Sequence, residues 1–358
     1  MITKYERVRQ DLKEKITSGY YAINDKLPTE SELMEKYSVS RYTIRRAIGD
    51  LENDHYIYRI QGGGMFADDW KQKNISPTDK KFIGILSTHI ADYIFPNIIS
   101  GVDHTITDNG YMTVISNTHN DPKREREALL AMLDRNIAGL IIEPTQSALE
   151  SPNRDLYKRI EELQIPTVFI NAIYPGMEDN FLSVTTNDRS GEKRLTNYLI
   201  EQGHKRILGV FQVDDIQGIN RMDGYLSAYR ENPDIFIQSQ VLMYQSSDKL
   251  NDVFSRIEGY LNSENAPTAI VCYNDKLAIQ IIDLIRSLNL KVPDDISVAG
   301  FDNYQLSQYI DPSLTTLTHE KEKMGHDAAE LLLDLIQHRK DIKSISYDPE
   351  LIIRNSTK

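Results

Sequence analysis

The sequence holds one cysteine, Cys272, so it has no disulfide framework and no cysteine-based zinc site. No apolar run approaches the roughly 20 residues that a membrane helix requires. The opening Met1-Ile2-Thr3-Lys4-Tyr5-Glu6 leads into a charged amphipathic pattern, not the apolar stretch of a signal peptide, so a soluble cytoplasmic protein with no membrane partner is expected. A glycine-rich phosphate loop at a strand–helix junction is missing, as are a pyridoxal-phosphate lysine motif, zinc-ligand spacing and a nucleophile elbow. These absences predict no catalysis, no cofactor and no metal. Positive charge is also short. Lys and Arg total 41 against 53 Asp and Glu, a net charge of −12, and residues 1–70 hold 11 against 12. A polyanion could then be met only through cations placed on one small face, because affinity depends on charges lying near phosphates.

Such a face is present. Tyr5, Val8, Leu12 and Ile16 recur at helical spacing and Gly19 supplies a stop, predicting a helix packed on one side. Pro28 and Thr29 open a second helix, where Thr29 and Glu32 have capping-box spacing and Leu33 faces inward. Tyr37-Ser38-Val39 makes a turn, and Ser40 caps a third helix whose buried stripe is Ile44, Ala47, Ile48 and Leu51. By subtraction, Arg41, Tyr42, Thr43, Arg45 and Arg46 point outward from its N-terminal half. Residues 56–60 alternate as a strand, Gln61-Gly62-Gly63-Gly64 bends the chain, and Met65-Phe66-Ala67 returns.

Helix, turn, helix and glycine-tipped hairpin make an α+β winged helix-turn-helix, a shape that fits the DNA major groove. Arg41 and Arg45 are expected on base edges, with Ser40, Tyr42 and Thr43 on backbone or thymine methyl groups. Gln61 is the expected side-chain contact of the wing, where Gly62 and Gly63 let the backbone approach a phosphate. Glu30 either lies near the DNA or complements its own helix dipole.

At 358 residues the chain is long enough for two or three domains. Residues 1–68 form the first, and the polar, aperiodic residues 69–80 read as a linker. From residue 81 to 358, strand signals recur at 82–87, 112–116, 139–143, 167–171, 207–211, 269–273 and 297–301. Helical patterns lie between most of them, such as 124–135, 191–201 and 224–230. That alternation implies parallel sheets covered on both faces. Ligands in such sheets sit beyond the carboxyl ends of strands. The rule selects His89, Tyr93, Glu143, Asn171, Asp188, Asp214, Asn274 and Asp302, to which Arg221, Phe95 and His319 are added as candidates. Acids, amides, an arginine and rings suit a polyol: polar groups exchange hydrogen bonds with hydroxyls while a ring covers the C–H face. Plainer readings stand beside them. Asp188 could cap a helix, Arg221 could pair with an acid on its own helix, Asp302-Asn303 could be turn chemistry, and Tyr93 and Phe95 could be core.

Two resemblances follow from these residues. Leu27-Pro28-Thr29-Glu30-Ser31-Glu32-Leu33, Ser38-Val39-Ser40-Arg41-Tyr42-Thr43-Ile44-Arg45-Arg46-Ala47 and Gln61-Gly62-Gly63-Gly64 resemble the GntR-type winged helix over about residues 1–68. This implies dimeric binding to an inverted-repeat operator in double-stranded DNA, through positions such as Lys4, Glu30, Arg41, Thr43, Arg45 and Gln61. Cys272-Tyr273-Asn274-Asp275-Lys276-Leu277-Ala278, residues 292–303 and Pro349-Glu350-Leu351-Ile352-Ile353-Arg354 resemble the LacI-type effector domain, itself similar to periplasmic sugar-binding proteins. That implies an α/β periplasmic-binding-protein-like fold of two parallel-sheet subdomains, with ligand contacts at Arg221, Asn274 and Asp302.

With residues 93–96, 141–145 and 214–218 added, the whole chain resembles the L-arabinose-responsive repressors. The resemblance implies a homodimeric, nucleoid-associated repressor of carbohydrate-use genes, released from its operator by the sugar. Another pentose, a hexose or a nucleoside as effector, or an activating sign, is the alternative. The chain lacks the helix-turn-helix and hinge helix of LacI relatives, so induction by folding of that hinge does not carry over.

Overall fold

A computed structural model describes residues 4–53, 56–60, 63–68, 82–135 and 137–358. The chain divides into two compact units, Met1–Lys81 and Phe82–Lys358. The residues expected to form a linker, 69–80, lie outside the described residues.

In the first unit, α1 (Lys4–Thr17), α2 (Glu30–Tyr37) and α3 (Arg41–Asn53) precede an antiparallel hairpin of β1 (Ile57–Ile60) and β2 (Gly64–Ala67). The capping box forms as the sequence specifies: Thr29 Oγ1 accepts from the Glu32 amide at 3.3 Å, and Glu32 Oε2 accepts from the Thr29 amide at 2.7 Å. Ser38 ends α2 in the left-handed region, φ 51°. Val8, Leu12, Ile16, Leu33, Ile44, Ala47, Ile48 and Leu51 make one core. Removing each large aliphatic side chain among them from water contributes on the order of 1.5–3 kcal/mol. Val39 and Tyr5 pack against its edge, half-buried.

The second unit has two lobes. One holds a parallel six-stranded sheet built from β3 (Phe82–Ser87), β4 (Met112–Asn117), β5 (Gly139–Ile142), β6 (Thr167–Asn171), β7 (Leu182–Thr186) and β13 (Ile345–Tyr347), in the order β13-β7-β6-β5-β3-β4. Its inner strands β3, β5 and β6 are buried on both sides, successive side chains packing on opposite faces, while the edge strands β4 and β13 are partly exposed. Ile83, Ile85, Ile141 and Val168 pack against α4 (Phe95–Asp108) and α11 (Lys321–Ile336), while Leu86, Leu140, Ile142 and Phe169 pack against α5 (Pro122–Leu133) and α6 (Arg154–Glu162).

The other lobe holds β8 (Ile207–Gln212), β9 (Gln240–Tyr244), β10 (Ala269–Cys272) and β11 (Ser297–Ala299), parallel in the order β11-β10-β8-β9. Helices α7 (Asp188–Glu201) and α8 (Ile216–Arg230) cover one face; α9 (Leu250–Leu261) and α10 (Asp275–Ser287) cover the other. A short antiparallel pair, β12 (Thr316–Leu317) and β14 (Leu351–Ile352), completes it. Two glycines let α8 sit where it does. A Cβ at Gly218 would lie 1.8 Å from the Gln212 carbonyl oxygen, and one at Gly224 would lie 2.4 Å from that of Arg189. No helix among the described residues is long and apolar enough to cross a membrane.

Candidate functional site

On the first unit, α3 turns Ile44, Ala47 and Ile48 inward, and this leaves Arg41, Tyr42, Arg45 and Arg46 exposed and Thr43 half-buried. Ser40 Oγ accepts from the Thr43 amide at 3.3 Å and lies 2.9 Å from Thr43 Oγ1, so the hydroxyl pair sits at the helix start. Glu30 is held in a pairing: its Oε2 accepts from Arg45 Nε at 3.0 Å, and Arg45 remains 63% exposed. The Arg46 guanidinium lies 4.5 Å from the Tyr5 ring centroid, which packs the end of α1 on α3. Lys4, Ser31, Ser38, Ser40 and Thr43 line one shallow groove beside this face. In the wing, the Gly63 amide donates to Ile60 O at 2.9 Å, and Gly64 takes a left-handed φ of 112°. Gln61 and Gly62 lie outside the described residues.

On the second unit, a cavity of about 230 Å³ opens between the lobes at the carboxyl ends of their strands. The space equals roughly seven or eight waters at about 30 Å³ each, enough for a monosaccharide. The first lobe contributes His89, Tyr93, Phe95, Glu143 and Asn171; the second contributes Arg221, Asn274 and Asp302. These eight are among the eleven residues the strand-end rule and its additions selected.

Arg221 is the most constrained of them, at 1% exposure. Its Nε donates to Asp188 Oδ1 at 2.8 Å, its Nη2 to Asp302 Oδ1 at 3.2 Å, and its Nη1 to the Tyr273 carbonyl. The guanidinium plane covers the Phe301 ring at 3.7 Å. Its acids come from other elements, not from its own helix. Across the cleft, Glu143 Oε2 accepts from the Thr88 amide and hydroxyl at 2.8 and 2.7 Å, and its Oε1 accepts from Asn171 Nδ2 at 2.8 Å. Burial raises the Glu143 pKa, and the hydrogen bonds from Thr88, Asn171 and Ser87 oppose the rise. His89 and Phe95 stack with ring centroids 5.1 Å apart, giving the wall an apolar plate.

Three expected contacts stand behind the wall. Asp188 is buried and spent on Arg221, while the helix cap it was thought to supply comes from Asn187, whose side chain accepts from the Ser190 amide. The Asp214 carboxylate accepts from the amide and hydroxyl of Ser246 and so pins the loop after β9. His319 is buried with its Nε2 3.2 Å from Asn171 Oδ1, and burial lowers its pKa to about 4, so at neutral pH it is an uncharged support of Asn171. Asn274 does two things: it faces the cavity, and its Oδ1 accepts from the Leu277 amide to cap α10. Asp302 and Asn303 both adopt positive φ, 97° and 43°, so the turn reading of this pair holds together with the wall position.

The wall also includes Asp92, Asn120, Asp215, Gln217, Tyr244, Tyr273 and Lys276, none of which was selected. Asp215 caps α8, and Gln217 precedes Arg221 by one helical turn. An N-cap acid followed at i+2 and i+6 by polar residues on one face was the available signal.

A surface helix rich in arginine and a receptor closed around a buried one define a DNA-binding regulator with a ligand-holding domain. Comparison with known proteins bears this out. Residues 4–67 match the family described as bacterial regulatory proteins, gntR family, and residues 196–357 match the periplasmic binding protein-like domain. The arabinose metabolism transcriptional repressor of Geobacillus stearothermophilus is 40% identical over 361 residues, covering 100% of this chain and 98% of that one. Its namesake from Halalkalibacterium halodurans is 39% identical over 366 residues, covering 100% and 97%. Among solved structures, transcription regulator CcpA of Lactococcus lactis shares the receptor fold with a TM-score of 0.68 at 23% identity, covering 78% of this chain and 100% of that one. The chain belongs to the family of arabinose metabolism transcriptional repressors.

Proposed function

We propose that this repressor binds an inverted-repeat operator as a homodimer and leaves it when a neutral pentose, L-arabinose, occupies the cleft. One observation carries the choice of ligand class. Arg221 faces the cavity already neutralised by Asp188 and Asp302, and Lys276 is likewise paired with Asp92. With Glu143 and Asp215 also on the wall, an anion such as a sugar phosphate meets no uncompensated cation. A polyhydroxyl compound meets donors and acceptors at both lobes and the His89–Phe95 plate for its C–H face.

Arg41 and Arg45 read base edges, Arg45 being held by Glu30 in the free protein and released to the DNA. Lys4, Ser40, Tyr42, Thr43, Arg46 and the wing residues Gln61, Gly62 and Gly63 meet backbone or methyl groups. Sugar favours the state it binds better. If that state sets the two winged helices at the wrong spacing for the half-sites, a coupling of about 1–3 kcal/mol weakens operator binding about 5- to 150-fold.

A thermal-shift panel of free sugars, sugar phosphates and nucleosides tests the ligand class, since a ligand bound only by the native state raises its stability. L-Arabinose should give the largest shift and sugar phosphates none. A larger shift from a phosphorylated sugar or a nucleoside would replace this reading.

A further inference from the structure

Two hydroxyl groups of the first lobe cross the cleft and enter the second lobe in the same way. Tyr93 Oη donates to Asp302 Oδ2 at 2.7 Å and accepts from the Asp275 amide at 3.2 Å. Ser147 Oγ donates to Asp215 Oδ1 at 2.8 Å and accepts from the Ile216 amide at 3.0 Å. In each case a hydroxyl from one lobe sits between a carboxylate and a backbone N–H of the other. Each hydroxyl has a single proton: that of Ser147 goes to Asp215, and that of Tyr93 goes to Asp302, with the Phe301 carbonyl oxygen a longer second acceptor at 3.1 Å.

Both crossings land on what holds Arg221. Asp302 gives its other oxygen to Arg221 Nη2 at 3.2 Å, so Tyr93 and Arg221 share one carboxylate. Asp215 and Ile216 form the first turn of α8, the helix that carries Arg221. Asp215 also accepts from the Tyr273 hydroxyl, and the Tyr273 carbonyl accepts from Arg221 Nη1, which closes the circuit.

The second-lobe side of the first crossing is rigid. Asp302 and Asn303 are locked by the Asp302 amide on Leu317 O at 2.9 Å and by Arg354 Nη2 on Asn303 Oδ1 at 2.8 Å. The first-lobe side is built for the reach. Tyr93 adopts φ 61°, a region that bulky side chains seldom occupy, and its ring lies 4.8 Å from that of Tyr304 in the opposite lobe. Asp92, next to it, pairs with Lys276 across the same gap.

We infer that Tyr93 and Ser147 are positioning residues: two struts that set Arg221 and Asp302 against the first-lobe wall when the cleft is shut, without donating to the sugar. Tyr93 borders the cavity, but its hydroxyl proton is directed at second-lobe acceptors. Ligand affinity and lobe closure are then tied, because a sugar that bridges both walls gains most from the state in which the struts are made. The inference rests on the sugar site proposed above.

Calorimetric titration of L-arabinose and its single-deoxy analogues against wild type, Tyr93→Phe and Ser147→Ala tests it, with hydrogen exchange of residues 214–218 and 301–304 measured on the same full-length proteins. Each variant should weaken L-arabinose about 3- to 10-fold, the net worth of one lost hydrogen bond. The factor should be the same for every analogue that binds, and exchange should quicken in both segments.

An analogue indifferent to Tyr93→Phe would place the phenol on the missing sugar hydroxyl and overturn the strut. Unchanged affinities would overturn it too. Should wild type bind no sugar, the ligand reading fails separately, and the exchange data then decide the struts: quickening supports them, and no change removes them.

Discussion

The two units use the same guanidinium group in opposite ways. Arg45 is 63% exposed and leans on one carboxylate, Glu30; Arg221 is 1% exposed and held by two, Asp188 and Asp302. A surface pair is worth about 0–1 kcal/mol, so Arg45 leaves its partner at little cost when a polyanion approaches. A buried arginine cannot leave. Breaking such a pair by removing one partner costs about 3–5 kcal/mol, which suits the proposed role of Arg221 toward a ligand that takes hydrogen bonds without needing the charge. On the proposed function, exposure separates a reader of phosphates and base edges from a reader of hydroxyls, although both sequences read simply as arginine on a helix.

That contrast breaks most sharply at Arg221. Arg221→Ala leaves Asp188 and Asp302 buried without their cation and should cost the receptor about 3–5 kcal/mol, seen by calorimetry as a lower transition for that unit only. Sugar response should vanish, while the winged helix still binds operator. An unchanged receptor transition would show that the caging has no energetic weight.

Glu192 offers the next largest effect. It is a third, fully buried carboxylate near this arginine, with Thr196 Oγ1 at 3.4 Å from Oε1 and no hydrogen-bond partner on Oε2. Burial raises its pKa to about 8, with Arg221 opposing the rise. The folded value lies above the unfolded one, so the native state holds the extra proton and stability falls as pH climbs from about 4.5 through 8. Glu192→Gln cannot ionise. It should match wild type near pH 4 and exceed it by roughly 2–4 kcal/mol above pH 8, read from denaturant melts at both pH values. Equal stability at high pH would mean that the carboxylate finds a counter-charge.

Arg45→Ala should leave stability within about 1 kcal/mol, because only an exposed pair is lost. It should cost about 1–3 kcal/mol of discrimination between operator and random duplex, with sugar affinity intact, as measured by competition binding. Lys4→Ala is the mildest. All DNA sequences should weaken together and the salt slope should drop by about one, with no change in discrimination.

How far the sequence revealed each unit follows from the same difference in exposure. The winged helix was legible almost to the residue because its signals are local: the Thr29–Glu32 box, the Ser38 turn and the Ile44, Ala47, Ile48, Leu51 stripe all lie within one helix or the next. In the receptor, fully buried strands such as β5, β6 and β10 announced themselves as apolar runs. The edge strands β9 and β13 did not, since one side of each meets solvent and their apolar content is diluted, and the inner β7 was also missed, its Leu-Ser-Val-Thr-Thr run being largely polar. With β9 unseen, Tyr244 at its end could not be placed on the wall.

The strand-end rule finds positions, not orientations. It selected Asp214, but Asp214 turns to Ser246 while its neighbour Asp215 caps α8 and faces the cavity. His319 and Asp188 carry polar groups of the right kind, yet each is spent on a wall residue, Asn171 and Arg221, and burial on three-dimensional partners has no signature in spacing.

The central claim is that one thermodynamic balance joins the operator-binding face to the cleft. Operator affinity measured with and without saturating L-arabinose, at fixed salt, tests it most directly. The account predicts a 5- to 150-fold weakening on adding the sugar, equivalent to about 1–3 kcal/mol of coupling. Sugar binding that leaves operator affinity unchanged would contradict it.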